Sequence, residues 1–168
     1  MKTTPKGLRL HIGLFGRRNV GKSSLLNRLT RQQVSIVSEV AGTTTDPVEK
    51  PMELLPIGPV LFIDTAGVDD RGTLGEIRVE RSRQVFDRTD LALIVAESGC
   101  WGRFEEGILA ELDSRGTPAV VVFNKADLAE PDHELVRRLE ERKIPHVRTV
   151  ASAGEGVLEV RRLLIESV

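Results

Sequence analysis

The run "LRLHIGLFGRRNVGKSSLLNRL" (8–29) joins an apolar segment to a glycine-rich turn and then to a helical pattern. Its centre, "GRRNVGKS" (16–23), fits the pattern G-x-x-x-x-G-K-[ST]. Glycines let successive backbone N–H groups curl around an anion, and the N-terminus of the following helix adds positive potential. The run therefore predicts a phosphate-binding loop between a buried strand and a helix.

The side chains of this loop have separate predicted roles. Lys22 is expected to reach the β and γ phosphates of a nucleotide, and Ser23 offers its hydroxyl to Mg²⁺. We assign nucleotide contact to six residues in succession: Asn19, Val20, Gly21, Lys22, Ser23 and Ser24. The alternative is a glycine-rich turn before a core helix, which does not explain why the strand and the Lys-Ser pair fall in register.

Beyond the loop, short apolar runs alternate with longer helical patterns. Strands are predicted at 8–15, 59–64, 91–96, 118–124 and 146–150, with an edge strand at 49–55. Helices are predicted at 22–30, 76–87, 104–114, 132–142 and 156–166. This alternation predicts an α/β fold, a three-layer P-loop domain whose mixed sheet has about six strands and one antiparallel edge strand.

Composition limits the classes of protein. A chain of 168 residues suits a single domain, 1–168, which we expect to be cut from a longer multidomain protein, although a complete small protein could end in the same way. A net charge of −1 gives no electrostatic drive toward nucleic acid or an anionic membrane. One cysteine excludes an internal disulfide and suits a reducing compartment, so a cytoplasmic location is expected.

A second motif, "DTAG" (64–67), ends another apolar run. Asp64 is placed to hold Mg²⁺ through water, and the Gly67 N–H is placed to contact the γ phosphate, because glycine permits close backbone approach. Thr44 is the predicted second hydroxyl ligand of Mg²⁺. Three consecutive threonines make this choice uncertain by one position, and Thr43 is the next candidate.

The third motif, "NKAD" (124–127), follows the fourth apolar run. The Asp127 carboxylate can accept two hydrogen bonds from guanine, at N1–H and the 2-amino group, whereas adenine has neither donor. Asn124 either ties the loop together or meets the base, and the stem of Lys125 can lie on the ring face. The motif predicts a preference for guanine.

The last motif, "ASAG" (151–154), offers the Ser152 hydroxyl and the Ala153 N–H to guanine O6. Taken in order, "GRRNVGKS", "GTTTD", "DTAG", "NKAD" and "SA" resemble the translation-factor-like branch of P-loop GTPases over nearly the whole chain. The resemblance implies an enzyme that binds GTP and hydrolyses it to GDP and phosphate.

Within that branch, "SEVAGTTTDPV" (38–48) and "MELLPIGPVLFIDTAGVDDRGTLGEIR" (52–78) resemble the GTPase domain of the iron–iron hydrogenase maturation family, HydF. The alternative is the GTPase domain of a tRNA-modification or ribosome-assembly protein. The tRNA-modifying GTPase family is close in pattern, but its second motif usually reads "GTTRD". In this chain Thr45 occupies the position of that arginine, and "DPV" (46–48) follows. These residues favour the maturation family and a role in metallocluster assembly.

That resemblance implies particular partners. They are the remaining domains of the full-length protein and a hydrogenase or its other maturation factors. A homodimer with a second copy is left open, and neither nucleic acid nor a membrane is expected. The family carries its iron–sulfur cluster on a separate C-terminal domain. With one cysteine, this chain is expected to hold no such cluster.

Val68 occupies the position where many relatives carry the glutamine that orients the attacking water. In potassium-dependent relatives, an asparagine matching Asn19 ligates K⁺ together with main-chain carbonyls just before "GTT". Matching that loop gives Ser38 and Val40 the same role here. The resemblance therefore implies activation by K⁺, which would neutralise charge that develops on cleavage. The alternative is that Asn19 hydrogen-bonds only its own loop.

Glu76 lies 12 residues after Asp64, where the tRNA-modifying relatives carry a candidate water-orienting carboxylate. A solvated glutamate in the first turn of a helix is an equally good interpretation. Because valine replaces the glutamine, a second function also stays open. The domain would then act mainly as a nucleotide-gated binding module with very slow hydrolysis.

Overall fold

The computed structural model describes residues 9–17, 20–30, 48–54, 56–64 and 83–168. Several predicted site residues lie outside these ranges, and their predictions stay predictions: Asn19, Ser38, Val40, Thr43, Thr44, Gly67 and Glu76.

In the described part of the chain, six strands form one sheet in the order β2-β3-β1-β4-β5-β6. They are β1 (Leu10–Phe15), β2 (Val48–Leu54), β3 (Gly58–Asp64), β4 (Leu91–Glu97), β5 (Ala119–Asn124) and β6 (His146–Arg148). Strand β2 pairs antiparallel with β3, and the other four pairings are parallel. The predicted mixed sheet with one antiparallel edge strand is confirmed.

Helices follow the predicted segments closely. They are α1 (Lys22–Thr30), α2 (83–88), α3 (Arg103–Arg115), α4 (His133–Glu141) and α5 (Val157–Glu166), with a 3-10 turn at Ala151–Ala153. Residues 76–82 of the second predicted helix lie outside the described ranges. Among the helices in the described part of the chain, none is long and apolar enough to span a bilayer.

The sheet carries a separate apolar layer on each face. On one face, Ile12 and Leu14 of β1 belong to a buried cluster with Leu25 of α1 and Leu164 of α5. On the other face, β1 contributes Phe15 to a buried cluster with residues of three helices, namely Phe86, Leu109 and Leu139. Burial on both faces explains why the central strands read as nearly continuous apolar runs.

Parallel pairing brings the carboxyl ends of β1, β3, β4 and β5 to one edge of the sheet. In open α/β sheets, ligands bind beyond this edge. The strands end at Phe15, Asp64, Glu97 and Asn124, so the sequence motifs that follow or include these residues meet there.

Candidate nucleotide-binding site

Lys22 is the first residue of α1 and points toward the carboxyl ends of β1 and β3. Its Nζ donates to the carbonyl oxygen of Gly16 at 2.7 Å and lies 3.6 Å from Asp64 Oδ1. Both side chains of this ion pair are largely buried, at 10% and 14% exposure. The structure therefore brings together the predicted phosphate-binding cation and the predicted acidic residue of the Mg²⁺ site.

Asp64 has an incomplete set of contacts. Its Oδ1 is buried and has no hydrogen-bond partner among the described residues, since 3.6 Å to Lys22 is an ionic contact and too long for a hydrogen bond. Burial raises the pKa of Asp64 above its ordinary value, and the charges of Lys22 and Lys50 oppose this rise. An unsatisfied buried carboxylate oxygen fits a cation or its bound water. Ser23 follows Lys22 in the chain and is exposed, and its hydroxyl and the Asp64 carboxylate are the kinds of oxygen ligand that Mg²⁺ prefers.

Lys50 is a component of the site that the sequence analysis missed. It lies on β2 two residues from Val48, which pairs directly with Asp64, so Lys50 and Asp64 share one face of the sheet. Its Nζ is buried without a hydrogen-bond partner among the described residues. The run 49–55 predicts only an edge strand, because no motif marks a lysine there as part of a site.

Asn124, at the end of β5, connects the phosphate side of the site to the base side. Its Nδ2 donates to the carbonyl oxygen of Val20 at 2.7 Å. Its Oδ1 accepts from Thr149 Oγ1 and from the Ala151 N–H, each at 2.9 Å. Of the two roles predicted for Asn124, these bonds support the first, in which the residue ties the loops together. Its side chain is 3% exposed.

Lys125 and Asp127 lie in a tight turn directly after β5. The N–H of Leu128 donates to the Lys125 carbonyl at 3.0 Å, which closes the turn over residues 125–128. Lys125 has a φ of 58°, in the left-handed region, and its Nζ contacts Glu97 Oε1 at 2.5 Å. Asp127 is exposed, as a carboxylate that receives a base from solvent must be.

The residues predicted to face guanine O6 lie in the 3-10 turn Ala151–Ala153. Ser152 is exposed, and its carbonyl oxygen accepts from Arg28 at 2.7 Å. The Ala153 N–H donates to the Val150 carbonyl at 2.9 Å. That N–H is therefore used inside the turn, and the predicted bond from Ala153 to guanine O6 requires it to be shared or released.

A bidentate ion pair joins the phosphate-binding loop to α3, which the sequence did not indicate. Arg17 Nε donates to Glu105 Oε2 at 2.9 Å, and its second nitrogen donates to Oε1 at 3.1 Å. Glu105 is 1% exposed and also accepts from the Gly102 N–H at 2.8 Å, in the first turn of α3. The partners lie 88 residues apart, so no local pattern could reveal the contact.

Trp101 packs in the same region, between the end of β4 and the start of α3. Its indole Nε1 donates to Glu106 Oε1 at 2.8 Å, and its ring lies 6.0 Å from that of Phe123. Phe123 immediately precedes Asn124 in β5. The indole therefore lies in the apolar layer directly behind the loops of the site.

Residues 11–125 match the family model described as 50S ribosome-binding GTPase. The chain belongs to this family. Together with the geometry above, membership makes it a P-loop GTPase domain, with GTP or GDP and Mg²⁺ as the ligands of the site.

Two curated relatives and one solved structure illustrate the similarity. The tRNA modification GTPase MnmE of Heliobacterium modesticaldum is 38% identical over 90% of this chain and 32% of its own length. The GTPase Der of Wolinella succinogenes is 37% identical over 77% of this chain and 28% of its own length. A variant of Aquifex aeolicus Era, solved with GDP and AlF4−, superposes with a TM-score of 0.75 at 27% identity, over 94% of this chain and 56% of that one.

The GTPase domain thus spans about a third of the length of the MnmE proteins that it matches. The two curated relatives, a tRNA-modification GTPase and the GTPase Der, agree with the alternative that the sequence left open.

Proposed function

We propose that this domain hydrolyses GTP to GDP and phosphate in a Mg²⁺-dependent cycle that changes how it contacts the rest of its protein. The observation that carries the proposal is the position of Asn124. One buried side chain bonds both to the phosphate-binding loop at Val20 and to the base-side backbone at Ala151. A ligand with phosphate at one end and guanine at the other fits this arrangement.

The residues of the site have defined tasks in this mechanism. Lys22, now held by Gly16 and Asp64, exchanges those contacts for the β and γ phosphate oxygens. Ser23 and Asp64 would hold Mg²⁺, which neutralises negative charge on the phosphates when bound. Asp127 accepts from the guanine edge. Preorganised positive charge in a partly buried site stabilises the transition state of phosphoryl transfer.

Base specificity gives a direct test of the proposal. GTP should bind much more tightly than ATP, and Asp127→Asn should weaken GTP binding, because an amide can accept only one of the two guanine bonds. The same variant should gain affinity for XTP, whose base carries a carbonyl in place of the 2-amino group and can accept from the new amide. Equal binding of GTP and ATP by the unmodified domain would overturn the proposal.

We further propose that a bound K⁺ compensates for the absent glutamine by neutralising the charge that develops on the phosphates during cleavage. The support is the residue set Asn19, Ser38 and Val40, with Val68 at the glutamine position. Phosphate release measured in matched KCl and NaCl buffers should be faster in KCl, and Asn19→Ala should remove the difference. Equal rates in the two salts would favour the nucleotide-gated binding module with slow hydrolysis.

Two roles for the longer protein are supported by different observations. A role in tRNA modification is supported by the identity of 38% to MnmE over 90% of this chain. A role in hydrogenase maturation is supported by Thr45, which replaces the arginine that the tRNA-modifying family usually has in its second motif. The following "DPV" (46–48) also favours this role. Of the two, the curated relatives favour tRNA modification.

A deletion strain separates these roles. Loss of a modified nucleoside from digested tRNA, with hydrogenase activity intact, would support tRNA modification. Loss of hydrogenase activity with unchanged tRNA would support maturation. Complementation should need Lys22, since Lys22→Ala removes the phosphate-binding cation from either cycle.

A further inference from the structure

Glu97 is the last residue of β4, and its carboxylate holds the ammonium group of Lys125 at 2.5 Å. The two residues come from neighbouring strands, because Glu97 pairs in register with Asn124, the residue before Lys125. The backbone is fixed at the same point, where the Ser98 N–H donates to the Asn124 carbonyl at 2.8 Å. The carboxylate is thus placed beside the base-side turn by the sheet itself.

Lys125 and Asp127 lie in the same short turn. The turn over 125–128 places Asp127 two residues further along the same four-residue loop. A four-carbon stem is long enough for an ammonium to meet a carboxylate two residues further along a turn, and a charge-assisted contact between them would occupy acceptor oxygens. Guanine needs those same oxygens for its N1–H and 2-amino donors.

Charge at Glu97 agrees with this arrangement. The hydrogen bond from Lys125 lowers the pKa of the Glu97 carboxyl group below its ordinary value, so the group is ionised at neutral pH. Both side chains are 35% exposed, so water partly screens the pair. The contact is therefore suited to hold the direction of the lysine stem and contributes little to folding.

We propose that Glu97 is a positioning residue for guanine specificity: it holds Lys125 away from Asp127, which leaves both carboxylate oxygens of Asp127 available to the base. This inference rests on the proposed GTP-binding function. It assigns a role to a residue outside the recognised motifs. Glu97 acts through Lys125 and does not itself contact the nucleotide.

The test compares GDP with IDP, whose base lacks the 2-amino donor and so needs one Asp127 bond fewer. Glu97→Gln should weaken GDP binding by roughly 1.5-fold to fivefold, the range expected for a partly exposed ion pair. IDP binding should weaken less, so the GDP-to-IDP affinity ratio should fall. Glu97→Asp keeps the negative charge and should restore most of the ratio, and kcat at saturating GTP should stay within about twofold of the unmodified value.

A double-mutant cycle isolates the route of the effect. In a Lys125→Met background, Glu97→Gln should cause no further change in the ratio, because the competing ammonium is gone. Glu130→Gln is the matched control: it removes the same charge from an exposed glutamate that lies near Arg148, at 3.8 Å. This control should leave the ratio unchanged.

Each other outcome is decisive. An equal loss for GDP and IDP in Glu97→Gln, or an unchanged ratio, would overturn the role of Glu97 while leaving GTP binding intact. A Glu97→Gln effect that persists in the Lys125→Met background would also overturn it. Failure of the unmodified domain to prefer GDP over ADP would instead overturn the proposed function.

Discussion

Gly21 is a residue at which both backbone conformation and space exclude a side chain. Its φ is +95°, and a Cβ built there would lie 2.2 Å from Asn124 Nδ2. Gly21→Ala should therefore destabilise the fold by about 1–3 kcal/mol and displace the amide that ties the two loops together. Urea unfolding and GDP titration would measure both effects.

Gly107 provides the control. It lies on the exposed side of α3, and among the described residues a Cβ there meets no atom within 4 Å outside its own helix backbone. Gly107→Ala should stabilise the helix by about 0.5–1 kcal/mol and leave GDP binding unchanged. If Gly107→Ala instead lowered the free energy of unfolding as much as Gly21→Ala, the contact with Asn124 would not be the cause of the loss.

Lys50 should affect how Mg²⁺ binding depends on pH. Its positive charge lowers the pKa of Asp64, which burial raises, so Lys50→Met should raise that pKa further. A protonated carboxyl group cannot hold Mg²⁺. As the pH is lowered, Mg²⁺-dependent GDP affinity should therefore be lost at a higher pH in Lys50→Met than in the unmodified domain, and Lys50→Arg should resemble the latter. Identical profiles for all three proteins would contradict the argument.

The same group gives a stability effect of known sign. Because the pKa of Asp64 in the folded chain lies above its unfolded value, the folded state binds this proton more tightly. Ionisation of Asp64 therefore reduces the stability of the ligand-free fold as the pH rises from the unfolded pKa through the folded one. The metal site keeps an ionisable group where burial disfavours its charge, which is typical of functional positions.

At the scale of elements, the pair between Arg17 and Glu105 joins the phosphate-binding loop to α3. Arg17→Leu would leave the buried Glu105 carboxylate with the Gly102 N–H but without its counter-charge. Breaking a buried pair from one side is costly, and because Arg17 is 40% exposed we expect a loss of roughly 1–3 kcal/mol in the free energy of unfolding. Urea denaturation would measure it.

A surface pair serves as the matched control for this prediction. Arg137 bonds Glu134 at 2.8 Å within α4, and both side chains are about two-thirds exposed, at 65% and 66%. Arg137→Leu should change stability by no more than about 0.5 kcal/mol, because exposed ion pairs contribute little. A loss in the free energy of unfolding as large as that of Arg17→Leu would contradict the argument that burial of Glu105 makes its ion pair important.

The elements themselves were predictable, because their signals are local. The apolar run at 91–96 indicated β4, and the motifs placed Lys22, Asp64 and Asn124 at the correct strand and helix ends. The acidic partners of Lys125 and Arg17 were not predictable. Glu97 and Glu105 look like ordinary acids beside a strand and in a helix, and their contacts come from residues 28 and 88 positions away.

The role of Asn124 was also not predictable from the sequence. The motif identified the residue but left two roles open, since an asparagine amide can serve a base or a loop equally well. Its choice depends on where the Val20 carbonyl and the Ala151 N–H lie, which only the assembled fold determines.

At the scale of the whole molecule, ligand binding should raise thermal stability by mass action. GDP with Mg²⁺ at about 100 times its Kd should add about 2.7 kcal/mol, and a domain of this size gains about 2–4 °C in Tm per kcal/mol. A thermal scan should show this gain with GDP and not with ADP. Asp127→Ala should remove the gain, and a shift of equal size with ADP would contradict guanine recognition.

Trp101 gives the molecule a property that none of its motifs suggests. The chain has one tryptophan and no tyrosine, so its near-ultraviolet emission comes from a single indole. That indole packs near the ring of Phe123, in the strand that ends at Asn124. It also donates to Glu106 of α3, the helix that an ion pair joins to the phosphate-binding loop. Occupancy of the site should therefore alter fluorescence without any attached dye, and a rapid-mixing experiment could follow GDP arrival and departure on the unlabelled domain in real time.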